Sequence, residues 1–131
     1  MIDQLKENWL FASLTPEQLQ RVASHAEHMQ LIEGQHLFEQ GDEARRFFLI
    51  LSGQIKLFRL SPDGNEKVIE IFSAGQTFAE ALMFHEHSCY PVCASSLTDY
   101  EVISLHSKDF VSMLRESVDS CFLLMADMSL R

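Results

Sequence analysis

The sequence is short of positive charge. Ten Lys and Arg stand against 19 Asp and Glu, giving a formal net charge of −9, and the longest basic run is the pair Arg45-Arg46. Such a chain has no electrostatic footprint for nucleic-acid phosphates or an anionic membrane surface. Cysteine is scarce too: Cys89, Cys93 and Cys121 cannot all pair within the chain, which favours a reducing compartment. The N-terminus "MIDQLKENWLF" lacks the basic and apolar regions of a secretion signal. The longest strictly apolar run, "CFLLMA" at 121–126, is too short to cross a bilayer. A soluble, cytoplasmic protein with no membrane partner is therefore expected. What is present is 131 residues, 47% hydrophobic, enough to bury the core of one domain without staples.

Glycine and proline are few, and they fall where punctuation is needed. The five glycines stand at 34, 41, 53, 64 and 75, between the β-prone segments "HLF", "FFLIL", "QIKLFRL" and "KVIEIF". Short strands separated by evenly spaced glycines predict an all-β sandwich or barrel. "SPDGNE" at 61–66 reads as a tight turn, and "PVCASSL" and "DYEVISL" add further strand. Helix is expected on either side. "LTPEQL" at 14–19 places Thr15 as N-cap, Pro16 at N1 and Gln18 at N3 of a capping box, with Leu14 and Leu19 as a staple. Leu19, Val22, Ala23 and Ala26 then share a face, while His25 and His28 read as solvated. Near 107, Ser107 can cap a helix whose Phe110, Met113 and Leu114 lie together. The segments are thus 1–28, N-terminal helices; 29–106, β-roll; and 107–131, C-terminal helices.

The last segment, "SCFLLMADMSLR", has no glycine or proline to stop it, which predicts that its helix continues beyond residue 131. Cys121, Leu124 and Met128 line one side; Phe122 and Met125 line the next. One small domain cannot bury both stripes, so these five residues are expected to form a seam with a second chain.

Glu80 raises the sharpest chemical question. It lies among Phe78, Ala79, Ala81, Leu82, Met83 and Phe84, with no Lys or Arg anywhere from 75 to 94. A carboxylate held among apolar side chains is costly unless donors meet it. Two readings stand: it caps the N–H groups of a short helix, or it meets a hydroxyl or polar edge of a ligand.

The order of these parts, from "LF..LTPEQL" through the glycine-punctuated roll and "FAEALMF" to a terminal apolar helix, resembles the N-terminal sensor domain of the Crp/Fnr family of bacterial transcription regulators. The resemblance covers the whole chain. It implies a double-stranded β-helix, or jelly roll, of cyclic-nucleotide-binding type, flanked by N-terminal helices and by the start of a dimerisation helix. It also implies a homodimer that senses a small effector and reaches DNA only through a C-terminal domain outside this chain; no enzyme activity is expected. In nucleotide-binding members the Glu of the short helix takes the ribose hydroxyl, and a downstream Arg with Ser or Thr pairs with the phosphate. On that pattern the ligand-binding candidates are Phe78, Ala79, Glu80, Ala81, Leu82, Tyr90 and Pro91. Ala79 stands where glycine is usual, and Tyr90 and Pro91 stand where Arg and Ser/Thr are usual. Losing a charge-assisted phosphate contact costs roughly 2–5 kcal/mol in a buried site. A non-nucleotide effector is therefore favoured, with a cyclic nucleotide as the alternative.

Other cofactors sort by donor count. The iron–sulfur members of the family need four cysteines, and three are too few. The pattern also resembles the denitrification-regulator (Dnr-type) branch, whose haem-based members sense nitric oxide. A haem needs one or two axial ligands in an apolar slot. His85 and His87 are the candidates, against the reading that both are solvated loop residues. A cupin-like metalloenzyme is the rival from another class, because His85-Glu86-His87 echoes an H-x-H metal pair. No carboxylate follows in 88–92 to complete that site.

Overall fold

Eight strands follow the glycine punctuation in this computed structural model, which describes residues 1–130. They are β1 (Glu27–Leu31), β2 (His36–Phe38), β3 (Arg46–Ser52), β4 (Gln54–Leu60), β5 (Glu66–Ser73), β6 (Thr77–Phe78), β7 (Cys93–Ser96) and β8 (Tyr100–His106). They form two antiparallel four-stranded sheets, ordered β1-β8-β3-β6 and β2-β7-β4-β5. Helices α1 (Ile2–Lys6) and α2 (Pro16–Ser24) precede the roll; α3 (Ser107–Arg115) and α4 (Val118–Ser129) follow it. A 3-10 helix spans Glu80–Phe84. No helix among the described residues is long and apolar enough to cross a membrane.

The run "FFLIL" is apolar throughout because β3 is buried on both faces, and strand alternation divides its residues between two cores. Phe48 and Ile50 point between the sheets, where they meet Phe38, Phe78, Tyr90 and Val102. Phe47 and Leu49 point outward, under the helices, where they meet Phe11, Leu19, Phe110 and Leu114. Phe110 packs edge-on against Phe11 and Phe47, with ring centroids 5.7 and 5.4 Å away. β5, by contrast, is an edge strand, and its Val68, Ile69 and Ile71 are exposed. One glycine in the roll is dictated sterically. At Gly53, between β3 and β4, φ is +81°, and a Cβ would lie 2.4 Å from that of Tyr100.

The N-terminal signals fold as read. Thr15 accepts from the Gln18 N–H, and the Gln18 side chain accepts from the Thr15 N–H, which closes the capping box. Leu19 and Val22 are buried, with Ala23 and Ala26 packed beside them. Buried Asn8 then ties this end to the roll: its Nδ2 donates to the Gly75 carbonyl at 3.0 Å, and its Oδ1 accepts from the Leu10 N–H. Two boundaries differ from expectation. β1 begins at Glu27, inside the segment assigned to N-terminal helices, because Glu27 and His28 already pair with Ser104 and Ile103 of β8. The cap of α3 is His106 rather than Ser107. β8 runs on to His106, whose Nδ1 accepts from the Asp109 N–H at 3.1 Å, so Ser107 becomes the first helical residue.

Helix α4 is capped by Ser117 and lies on its own domain along one stripe only. Gln18 Nε2 donates to Ser120 Oγ at 2.8 Å, and Ser13 Oγ donates to Asp127 at 2.6 Å. Leu124 is 7% exposed, within the helical core, and Cys121 packs beside it with its thiol donating to the Leu114 carbonyl. These two members of the expected seam are therefore spent inside the chain. The other three, Phe122, Met125 and Met128, stand exposed together with Val118 and Leu123.

Candidate functional site

The segment 77–90 organises the site. β6 pairs Phe48 with Phe78 and Leu49 with Thr77, which aims Phe78 between the sheets. The chain then turns at Ala79, whose φ of 65° lies in the left-handed region. That geometry is why glycine is usual there; an alanine can hold it at a cost of about 1–2 kcal/mol. The 3-10 helix follows, with Met83 buried in the helical core and Leu82 packed at the edge of the roll. The next loop is fastened: Ser88 Oγ donates to the His85 carbonyl, and the Ala44 N–H donates to the Ser88 carbonyl at 2.8 Å.

Between the sheets, the position expected to receive a phosphate is filled by aromatic rings. Tyr90 lies flat on Phe38, with centroids 3.7 Å apart and planes 9° apart. Its hydroxyl donates to the Arg46 carbonyl at 2.8 Å, and burial pushes its phenol above the usual value. Phe78 stacks on Phe48 and Phe72, at 5.1 and 5.7 Å. Phe78 and Tyr90 are thus core residues, and neither is left open to a ligand. Pro91 and Ala81 are exposed. Glu80 is half-buried and makes no hydrogen bond or ion pair with any described residue, so the capping reading of this carboxylate finds no support. Lys56, a cation from a neighbouring strand, is taken by Glu66 at 2.6 Å.

The open space lies on the other side of the 3-10 helix. A cleft of about 880 Å³ separates the segment 82–88 from α3 and the first turn of α4. Leu82, Val111 and Leu114 give it apolar wall; His85, His87 and His106 bring three imidazoles; Cys121 lies on its α4 side. Of the seven ligand candidates only Leu82 lines it, whereas both haem-ligand candidates, His85 and His87, do so. No group of three or more metal-ligating side chains gathers among the described residues, which leaves the cupin-like reading without a site. Arg45 hydrogen-bonds Glu43 at 2.8 Å and holds that carboxyl below the usual range. Reading the sequence missed Arg45, His106, Lys108, Val111 and Arg115 as cleft residues. The available signal was the spacing 108-111-115, which sets three side chains on one helical face.

Comparison with known proteins agrees with the roll. The family model for the cyclic nucleotide-binding domain matches residues 29–117. The sensor domain of the transcriptional regulator DNR from Pseudomonas aeruginosa superposes with a TM-score of 0.88 at 31% identity, covering 98% of this chain and 86% of that one. The cyclic AMP receptor protein of Thermus thermophilus is 27% identical over 111 residues, which are 85% of this chain and 51% of that protein. A CRP-like cAMP-activated global transcriptional regulator of Mycobacterium tuberculosis is 23% identical over 96 residues, or 42% of its length. The chain therefore spans about half the length of the curated relatives it matches. With its two-sheet roll, its flanking helices and its likeness to the DNR sensor domain, this chain belongs to the cyclic nucleotide-binding domain family, in the form used by Crp/Fnr-type regulators.

Proposed function

We propose that the chain is the effector-sensing domain of a Crp/Fnr-type transcription regulator whose effector is not a cyclic nucleotide, and that the effector enters the cleft between the 3-10 helix and α3. One observation carries this reading. The roll interior is closed by Tyr90 stacked on Phe38, while the neighbouring cleft is open and lined by histidines. The regulator works in the cytoplasm as a homodimer through the exposed face of α4, and contacts DNA through a domain outside this chain. Val118, Phe122 and Met125 support the dimer, being 68, 65 and 52% exposed on one helix.

A haem fits the donors in the cleft. His85 or His87 would hold the iron against the apolar wall of Leu82, Val111 and Leu114. Bound there, it would supply an iron centre that takes up a diatomic gas such as nitric oxide. The protein's own part is transmission. Leu114 lines the cleft, and its carbonyl accepts the Cys121 thiol, so a displacement of α3 reaches α4 through one contact. A ligand that prefers one placement of α3 shifts the population of α4 positions, and with it the pairing of two chains.

The test is a haemin titration of the purified protein beside a cyclic AMP titration by calorimetry. A Soret band saturating near one haem per chain, shifted by nitric oxide and lost in His85→Ala or His87→Ala, is expected, with no heat from the nucleotide. Saturable cyclic AMP binding that Glu80→Ala abolishes would overturn the reading in favour of a nucleotide sensor.

A further inference from the structure

The cleft reverses the charge balance of the molecule. In a chain of net charge −9, its lining carries three cations, Arg45, Lys108 and Arg115, against two carboxylates, Glu43 and Glu86. Glu43 is already paired with Arg45. Lys108 and Arg115 make no hydrogen bond or ion pair with any described residue, although Lys108 lies near enough to Glu43 to help hold that carboxyl low. Seven residues apart on α3, with Val111 between, they share a face. Arg115 lies in the last turn, where the helix dipole favours a cation. Lys108 lies in the first turn, directly after Ser107, where the dipole opposes it. The helix dipole thus favours one of these charges and opposes the other, whose nearby carboxylate, Glu43, is already hydrogen-bonded to Arg45. A residue set against a local rule and facing a cleft points to a use there.

We infer that the cleft takes a small organic anion with an apolar body, its acidic end held by Lys108 and Arg115 and its body laid against Leu82, Val111 and Leu114. This rests on the reading of the cleft as the effector site, and the anion would occupy the wall in place of a haem. A neutral apolar molecule would leave Arg115 without a counter-charge and Lys108 with only the shared Glu43. A compact inorganic anion would leave the apolar wall in water. Only a ligand with both parts matches both walls. The cations are solvent-exposed, so either contact alone is weak and the selectivity comes from the pair together.

Fluorescence titration with 1-pyrenebutyrate and 1-pyrenebutanol, which share a body and differ in the acid, tests the charge and the site separately. The acid is expected to saturate at one per chain and bind about ten-fold more tightly than the alcohol. The double substitution Lys108→Gln/Arg115→Gln brings the two probes within about two-fold of each other and leaves the alcohol unchanged, whereas Lys67→Gln on β5 changes neither. Val111→Trp fills the cleft and stops both probes; Ser112→Trp, from an exposed lining position, does the same should Val111→Trp fail to fold. Equal affinities in the unsubstituted protein, or an acid preference that survives the double substitution, overturns the anion assignment while the blocking variants still uphold the site. If both probes bind undiminished to folded blocking variants, the cleft is not the site, and both readings fall.

Discussion

The start of the segment 78–88 faces a space filled with stacked rings; its end, from Leu82 to Ser88, faces one that side chains leave open. Phe38, Phe48, Phe72, Phe78 and Tyr90 close the first by stacking, and the Tyr90 hydroxyl is anchored on backbone. The second, of about 880 Å³, has an apolar wall but a rim of imidazoles and cations. The two spaces meet at Leu82 on one short stretch of chain, so the difference lies in what each partner element sends inward. The opposite sheet sends aromatic rings, which leave no room, while α3 sends Val111 and the long chains of Lys108 and Arg115, which stand apart. The two spaces thus differ in packing: stacked rings fill one, and the other is left open beside α3.

The largest test of this contrast is a pair of substitutions. Phe78→Ala removes a ring that is 1% exposed at the centre of the stack, and about 3–5 kcal/mol of stability goes with it. Val111→Trp adds bulk where there is room, and stability changes by less than about 1 kcal/mol. Urea unfolding curves of the two variants measure both. A Phe78→Ala loss near 1 kcal/mol would mean that the roll interior is loosely filled and still receptive, and the contrast would fail.

A smaller effect comes from the one imperfection in the closed space. The Tyr100 hydroxyl is buried with no hydrogen-bond partner among the described residues, and burial pushes its phenol above the ordinary value. Tyr100→Phe removes an orphan polar group, and a gain of about 1 kcal/mol at neutral pH is expected. The pH dependence has a definite sign. Because the folded phenol titrates above the unfolded one, its contribution is intact below the unfolded value of about 10 and is lost as pH rises toward the folded value. The unsubstituted protein should therefore lose stability above about pH 10, and Tyr100→Phe should flatten that loss, with Tyr90 supplying the remainder. A loss of stability in Tyr100→Phe at pH 7 would show that a buried water serves this hydroxyl.

These contrasts also mark what could be read without coordinates. The roll was legible because glycines and strand periods are local signals: "FFLIL" between Gly41 and Gly53 is β3, and "LTPEQL" is the capping box. The resemblance put Tyr90 and Pro91 where a phosphate-binding Arg and Ser/Thr are usual, and Tyr90 proved to be a buried, stacked ring. That stacking was not legible, since Phe38 is 52 positions from Tyr90 and no pattern in either segment announces that the two rings stack. The cleft was half legible. His85 and His87 stood out as donors, but Arg45, His106 and Arg115 come from three elements that only the packing of α3 on the roll brings together. The seam was only partly legible for a related reason. Both stripes of α4 are apolar, and sequence alone does not say that Leu124 and Cys121 face inward while Phe122 and Met125 face out.

The smallest expected effect sits at the boundary between the two cores. Ala79 packs against both cores and holds a φ of 65°. Two terms oppose each other in Ala79→Gly. Relief of the left-handed strain favours the variant by about 1 kcal/mol, while the lost methyl contacts and the extra freedom of glycine in the unfolded chain disfavour it by several tenths. A net gain below about 1 kcal/mol is expected, read as a small upward shift of the urea midpoint. The sign decides what this residue is. A gain makes Ala79 a strained turn at which the 3-10 helix is held between the closed roll and the open cleft. A loss greater than about 1 kcal/mol makes its methyl a wedge that keeps the two cores apart, because packing would then outweigh the backbone term. In that case the separation of the two cores rests on a single carbon, and its loss should reach the cleft through the 3-10 helix as a changed affinity for 1-pyrenebutyrate.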